Sequence, residues 1–289
     1  MSNNGAPQWF VDALAVPFET GTVEVAGALI AYRAWGEAGL PGVVLVHGGM
    51  AHSHWWDHVG PQLTAGRRVV ALDLSGHGDS AHREHYSLEA WAAEVLAAAE
   101  AGGIAGRPVL IGHSMGGIVS FAASHLHSDR LDGVVILDSP IRDMTPEEVE
   151  MRAKTVANAG PPRVYPSVDA AVSRFRLVPP QESVDPTVFA HIARESLKQV
   201  EGGWSWKFDN LRMGREGRSS LELMTPGCRV AYFRCEHGII DEGLRSQIRQ
   251  QLGPDALWVE LPAAGHHPMI DQPLAVVTAA RTVLAAWGR

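Results

Sequence analysis

Four short runs of β-branched and aliphatic residues, at positions 43–46, 68–72, 108–111 and 133–137, are apolar at almost every position rather than at every second one. A strand with one wet face alternates, so continuous apolar runs of this length are strands covered on both faces. Between them lie stretches of helical period. Residues 87–101 put Leu88, Trp91, Val95 and Leu96 on one side, with Ser87 as the N-cap, and 117–127 also reads as helix. Buried strands alternating with helices imply a parallel sheet with right-handed crossovers. Two later runs, 229–233 and 256–261, extend it, while 21–26 and 29–35, joined at Gly27, form an antiparallel hairpin on its edge. The expected fold class is therefore α/β, a mostly parallel eight-stranded sheet flanked by helices.

The stretch from about 142 to 218 has a different texture. It holds Pro146, Pro161, Pro162, Pro166, Pro179, Pro180 and Pro186, many arginines, and helix-like pieces at 146–156 and 186–200, with no buried strand. An α-helical insertion is the economical reading, giving a core of residues 1–141 and 219–289 and a helical cap, or lid, of 142–218 over the site.

Hydrophobic residues are 46% and charged residues 19%, which excludes wholesale disorder. Lys and Arg number 24 against 32 Asp and Glu, a net charge of −8. An acidic chain without a basic cluster has no electrostatic hold on a phosphate backbone, so nucleic acid is not an expected partner. The first residues have neither the basic nor the apolar part of a signal peptide, and no apolar run approaches the ~20 residues of a membrane span. Cys228 and Cys235 fall in one strand, roughly 23 Å apart, too far for a disulfide. A cytoplasmic chain with no membrane partner is the expectation; no motif specifies an oligomeric state.

Directly after the strand at 108–111 stands Gly112-His113-Ser114-Met115-Gly116-Gly117, followed by a helix. G-x-S-x-G carries meaning in this strand–turn–helix setting. A nucleophile on a sharp elbow needs a strained backbone, and neighbours two before and two after it must lack Cβ so that strand and helix can approach. The elbow lifts the Ser114 hydroxyl above the sheet and aims the Met115 N–H, at a helix N-terminus, toward an oxyanion.

On these residues the chain resembles the α/β-hydrolase-fold enzymes. Three further stretches match that family in order and spacing. Val46-His47-Gly48-Gly49-Met50 resembles its H-G-x oxyanion loop. Residues 73–80 (DLSGHGDS) resemble its D-x-x-G-x-G-x-S turn, and 264–273 (AGHHPMIDQP) its histidine loop. The resemblance spans nearly everything outside the cap. It implies that His266, directly after a glycine, is the base, and that His267 is a packing or pocket residue. It also implies that the backbone N–H of Gly49, with Met50 as the alternative, completes an oxyanion hole with Met115.

The acid departs from the family's commonest pattern. Its usual Asp follows the penultimate strand, but there the chain reads Arg234-Cys235-Glu236-His237-Gly238, with Gly238 in the expected position. A branch of the superfamily carries the acid at the end of the strand after the nucleophile helix, where this chain has Asp138. A carboxylate at that edge can reach the histidine's other nitrogen and fix its tautomer. Asp138 is the expected acid, with Glu236 and Asp241 as alternatives.

Residues 52–58 (HSHWWDH) have one residue too many for an H-x-H-x-D-H metal motif, so their ligands are not expected to converge, and no metal or other cofactor is called for. Met50, His113, Trp204 and Trp206 are candidate pocket residues, with a possible hinge at Gly202–Gly203. The resulting expectation is a serine hydrolase cleaving a small carboxylic ester or thioester through an acyl-enzyme, Ser114–His266–Asp138. The same residues would serve C–C bond hydrolysis or acyl transfer, and a low-turnover small-molecule receptor is the reading from another class.

Overall fold

The computed structural model describes residues 5–158, 160–209 and 220–288. A short helix, α1 (Gln8–Leu14), precedes the hairpin β1 (Glu19–Val25) and β2 (Ala28–Trp35). Ala26 and Gly27, both at positive φ, make its turn. Strands β3 (Gly42–Val46), β4 (Arg68–Leu72), β5 (Val109–His113) and β6 (Gly133–Leu137) follow, with α2 (Leu88–Ala101) before β5 and α3 (Met115–Leu126) before β6. As expected, Ser87 caps α2, its side chain accepting from the Ala90 N–H.

After an insertion come β9 (Arg229–His237), α7 (Glu242–Leu252), β10 (Leu257–Gly265), α8 (Pro268–Asp271) and α9 (Pro273–Ala286); β7 and β8 belong to the insertion. The strand order is β1-β2-β4-β3-β5-β6-β9-β10. The pairs β1–β2 and β2–β4 are antiparallel, and the others parallel.

The continuous apolar runs divide their side chains between two cores. Val43, Leu45, Val109, Ile111, Val135 and Leu137 join the core shared with α9. Val44, Val46, Leu110, Val134 and Ile136 join the core shared with α2 and α3. Both faces of β3, β4, β5 and β6 are dry, and the functional loops lie at the C-terminal ends of the parallel strands, where α/β sheets place them.

The insertion between β6 and β9 contains α4 (Pro146–Ala157), α5 (Val168–Val172) and α6 (Pro186–Glu195), then β7 (Leu197–Val200) paired antiparallel with β8 (Gly203–Trp206). This corrects the expectation of a purely α-helical lid. The helix expected over 186–200 stops at Glu195, because Ser196 and Leu197 start a hairpin. Its strands have few buried residues, Leu197 and Ser205, so they carry no apolar run. Gly202 and Gly203, at φ 82° and 150°, shape the hairpin turn rather than a hinge. The expected lid boundary at 218 lies outside the described residues. No helix among the described residues is long and apolar enough to cross a membrane.

Candidate active site

Ser114 sits between β5 and α3 at φ 52°, ψ −119°, a left-handed conformation rare for a residue with a Cβ. The elbow exists because its flanking glycines leave room. A Cβ on Gly112 would run into the Gly116 carbonyl and Ser120, and one on Gly116 into the carbonyls of Val46 and His47. Asp138, at the end of β6, has φ 45°, and Met50, after β3, has φ 59°. Three of the five non-glycine residues at positive φ among the described residues are thus candidate site residues. Backbone strain of this kind gathers where geometry is held for chemistry.

The structure brings Ser114, His266 and Asp138 into one hydrogen-bonded line. The Ser114 hydroxyl lies 3.1 Å from His266 Nε2, and His266 Nδ1 lies 2.8 Å from Asp138 Oδ2. A carboxylate only accepts, so Nδ1 carries the proton and Nε2 presents a lone pair to Ser114. Asp138 is fully buried, and its carboxylate also accepts from the Cys235 N–H (3.2 Å) and the Ile239 N–H (3.0 Å). Gly238 makes this possible: a Cβ there would collide with the Asp138 carboxylate.

The other two carboxylates are occupied elsewhere. Glu236 is exposed and accepts from the Ala263 N–H, and Asp241 caps α7 by accepting from the Leu244 N–H.

The loops around the serine are cross-braced. Buried His47 donates from Nδ1 to the Gly48 carbonyl and accepts at Nε2 from the Leu74 N–H, joining the Gly48–Gly49 loop to the turn after β4. Burial lowers its pKa to about 4, so it is neutral and serves as a strut. Asp73 accepts from the backbone N–H groups of Ser53 and Asp79, tying both loops to the same carboxylate.

The His266 loop is pinned by Asp271, which stands in the 264–273 stretch but was given no role there, and by Gln181, which belongs to no motif. Asp271 accepts from the Gly265 N–H at 2.7 Å, and Gln181, from the insertion, accepts from the His267 N–H at 2.8 Å. The signal for Asp271 was its place in the histidine-loop stretch, five residues after His266. Gln181 had none, because its contact spans 86 residues.

Next to the Gly49–Met50 loop and His267 lies a cavity of ≈180 Å³, lined in part by these residues and by Trp55, Phe175 and Trp206; Ser114, His266 and Asp138 are not in its wall. Two expected pocket residues are not in its wall. His113 is buried beneath the histidine loop, its Nε2 donating to the His266 carbonyl at 2.7 Å, because side chains of a strand point to alternate faces and Ser114 takes the open one. Trp204 sits nearer the hairpin turn, where its backbone pairs with Tyr165.

Two clusters have metal-ligand composition. His54 and Asp57 do converge (2.8 Å), contrary to the sequence expectation, and His191 of α6 joins them at 2.9 Å. The inserted residue is absorbed by a 3₁₀ turn, Ser53–Trp56, whose tighter winding brings i and i+3 together. His58 turns away to the Met269 carbonyl. The Arg33 guanidinium already bonds both Asp57 (2.9 Å) and His54, so the positive charge of this cluster comes from the chain itself. His113, His266 and His267 offer one atom each within 4.8 Å of one another. An ion held there would compete with Ser114 for the His266 lone pair.

A model of the alpha/beta hydrolase family matches residues 43–280. The esterase Rv0045c of Mycobacterium tuberculosis is 30% identical over 196 residues, covering 65% of this chain and 62% of that protein, so the match spans under two thirds of the relative's own length. The sn-1-specific diacylglycerol lipase ABHD11 of Mus musculus is 26% identical over 267 residues, 86% of this chain and 83% of the lipase. A solved structure of the M. tuberculosis esterase superposes with a TM-score of 0.74 at 22% identity, covering 96% of each chain, a likeness of fold.

Proposed function

The chain belongs to the alpha/beta hydrolase family, and from that premise we propose that it is a serine hydrolase cleaving small carboxylic esters or thioesters through an acyl-enzyme. The observation that carries this reading is the unbroken line Ser114 Oγ–His266–Asp138, set at a strained elbow beside an apolar cavity. The esterase and lipase names of the relatives agree with it.

Ser114 Oγ attacks the acyl carbon while its proton passes to His266 Nε2. Asp138 holds the imidazole in the tautomer that can accept this proton and stabilises the imidazolium that results. The charge on the former carbonyl oxygen is met by the N–H groups of Met115, the first residue of α3, and of Gly49. Collapse breaks the C–O or C–S bond, and His266 returns the proton to the leaving group. Water then repeats the sequence on the acyl-enzyme, releasing the acid and free Ser114.

In this account residues 142–218 act as a cap. Phe175, Leu177 and Trp206 of that segment furnish one wall of the cavity, and Trp55 the facing part. Acyl specificity therefore resides largely in the insertion.

A fluorophosphonate probe tests the reading. Labelling is expected on Ser114 of the folded protein, and Ser114→Ala is expected to abolish both labelling and ester turnover at an unchanged melting temperature. Turnover retained in Ser114→Ala contradicts it.

A further inference from the structure

The cavity wall has a charge pattern at odds with the molecule as a whole. The chain carries −8, yet the lining includes Arg174, Arg176 and Lys207 and, among the described residues, no carboxylate. Lys207 is neutralised by Asp79, 3.0 Å away. Arg174 and Arg176 have no such partner among the described residues. Both are exposed, flanking buried Phe175, and the Arg176 guanidinium donates to the carbonyls of Ser173 and Phe175 at 3.0 and 2.7 Å, which holds it in place at the rim. The rest of the wall is mainly aromatic and aliphatic, with Trp55, Phe175, Leu177, Trp206 and Phe208, and includes buried His52, Ser196 and His267. An apolar chamber suits the carbon chain next to a scissile carbonyl. Two uncompensated guanidiniums at its mouth suit an anion farther along the same molecule, since Arg binds carboxylate and phosphate through a fixed fork of donors. On an acidic protein, a local positive mouth also draws such substrates in against the general repulsion.

We propose that the substrates of this site are esters or thioesters bearing an anionic group, a carboxylate or a phosphate, which Arg174 and Arg176 bind at the cavity mouth. The proposal rests on the hydrolase reading and adds the substrate class to it. The anion can stand at the far end of the acyl chain or on the leaving group, and two substrate pairs separate these sources. The first pair is mono-(p-nitrophenyl) adipate and its neutral methyl ester. The second is butyryl-coenzyme A and the butyryl thioester of N-acetylcysteamine, which lacks the phosphates.

The expected result is a kcat/KM preference of about tenfold for the anionic member of at least one pair, as two exposed charge contacts provide. That preference should fall toward unity in Arg174→Gln/Arg176→Gln, return in part in Arg174→Lys/Arg176→Lys, and weaken with added salt. A preference in the first pair places the anion on the acyl chain, and one in the second places it on the leaving group. Equal kcat/KM within both pairs, or a preference untouched by the double glutamine variant, overturns the proposal while leaving the hydrolase intact. No turnover of any of the four, with no fluorophosphonate label on Ser114, overturns the hydrolase reading and this inference with it.

Discussion

Replacing Gly238 by alanine adds one methyl group where the structure has no room for it. The new Cβ would lie within 2.5 Å of Asp138 Cγ and closer still to both carboxylate oxygens. Gly238 does not have a positive φ, so the change is one of space and not of backbone preference. Restoring ordinary carbon–carbon contact moves the carboxylate by roughly 1 Å. That stretches the 2.8 Å bond to His266 Nδ1 and the bonds from the Cys235 and Ile239 N–H groups beyond useful length. A displacement of this size costs about 10²-fold in kcat, and the loss is bounded by the ~10⁴-fold typical of removing the acid's charge. Leaving a buried carboxylate short of donors also costs about 1–3 kcal/mol of stability. The assay is steady-state ester hydrolysis alongside urea unfolding. In an Asp138→Asn background, Gly238→Ala should lose little further kcat, because both changes act through the same group. A Gly238→Ala enzyme that folds and turns over within twofold of the parent would refute the argument that this glycine makes room for the acid.

Asp138→Asn should lower kcat by about 10³–10⁴-fold while Glu236→Gln changes it little, and the reverse outcome in steady-state kinetics would move the acid to β9. Burial lowers His47 and His58 to about 4 and His77 and His267 to about 3. Below pH 6.5 the unfolded chain therefore binds protons that the folded one does not, and stability should fall steadily from pH 6.5 toward 4. Melting temperature against pH checks this, and a flat profile over that window contradicts it. Asp57→Asn strips buried Arg33 of its carboxylate and α6 of its link through His191, so urea unfolding should show a loss of about 3–5 kcal/mol.

The sheet and the elbow were legible because each is written in consecutive residues: the apolar run 108–111, then G-x-S-x-G. Asp138 was reached through the resemblance to the branch that carries its acid at the end of the strand after the nucleophile helix; the ladder of β6 and β9 ends beside it, at Leu137 and Phe233. The hairpin β7–β8 was not legible. Val188, Ile192, Ser196 and Val200 recur every four residues, so the helical period runs unbroken past the true end at Glu195. The contact at the helix end is tertiary: the hydroxyl of Ser196, which donates locally to the Ile192 carbonyl, takes a bond from His52, 144 positions away. The His54–Asp57–His191 cluster and the Gln181 brace share that property. Each needs a partner from the insertion, and no local pattern announces which residues of an insertion will face the core.

A serine nucleophile at position 114 must become acylated during turnover. Acid quenching of a p-nitrophenyl butyrate reaction, followed by intact-mass and peptide analysis, measures this directly. A transient mass increase of one butyryl group is expected on the peptide that carries Ser114, and none in Ser114→Ala. Continued turnover with no adduct, or an adduct on another residue, would contradict it.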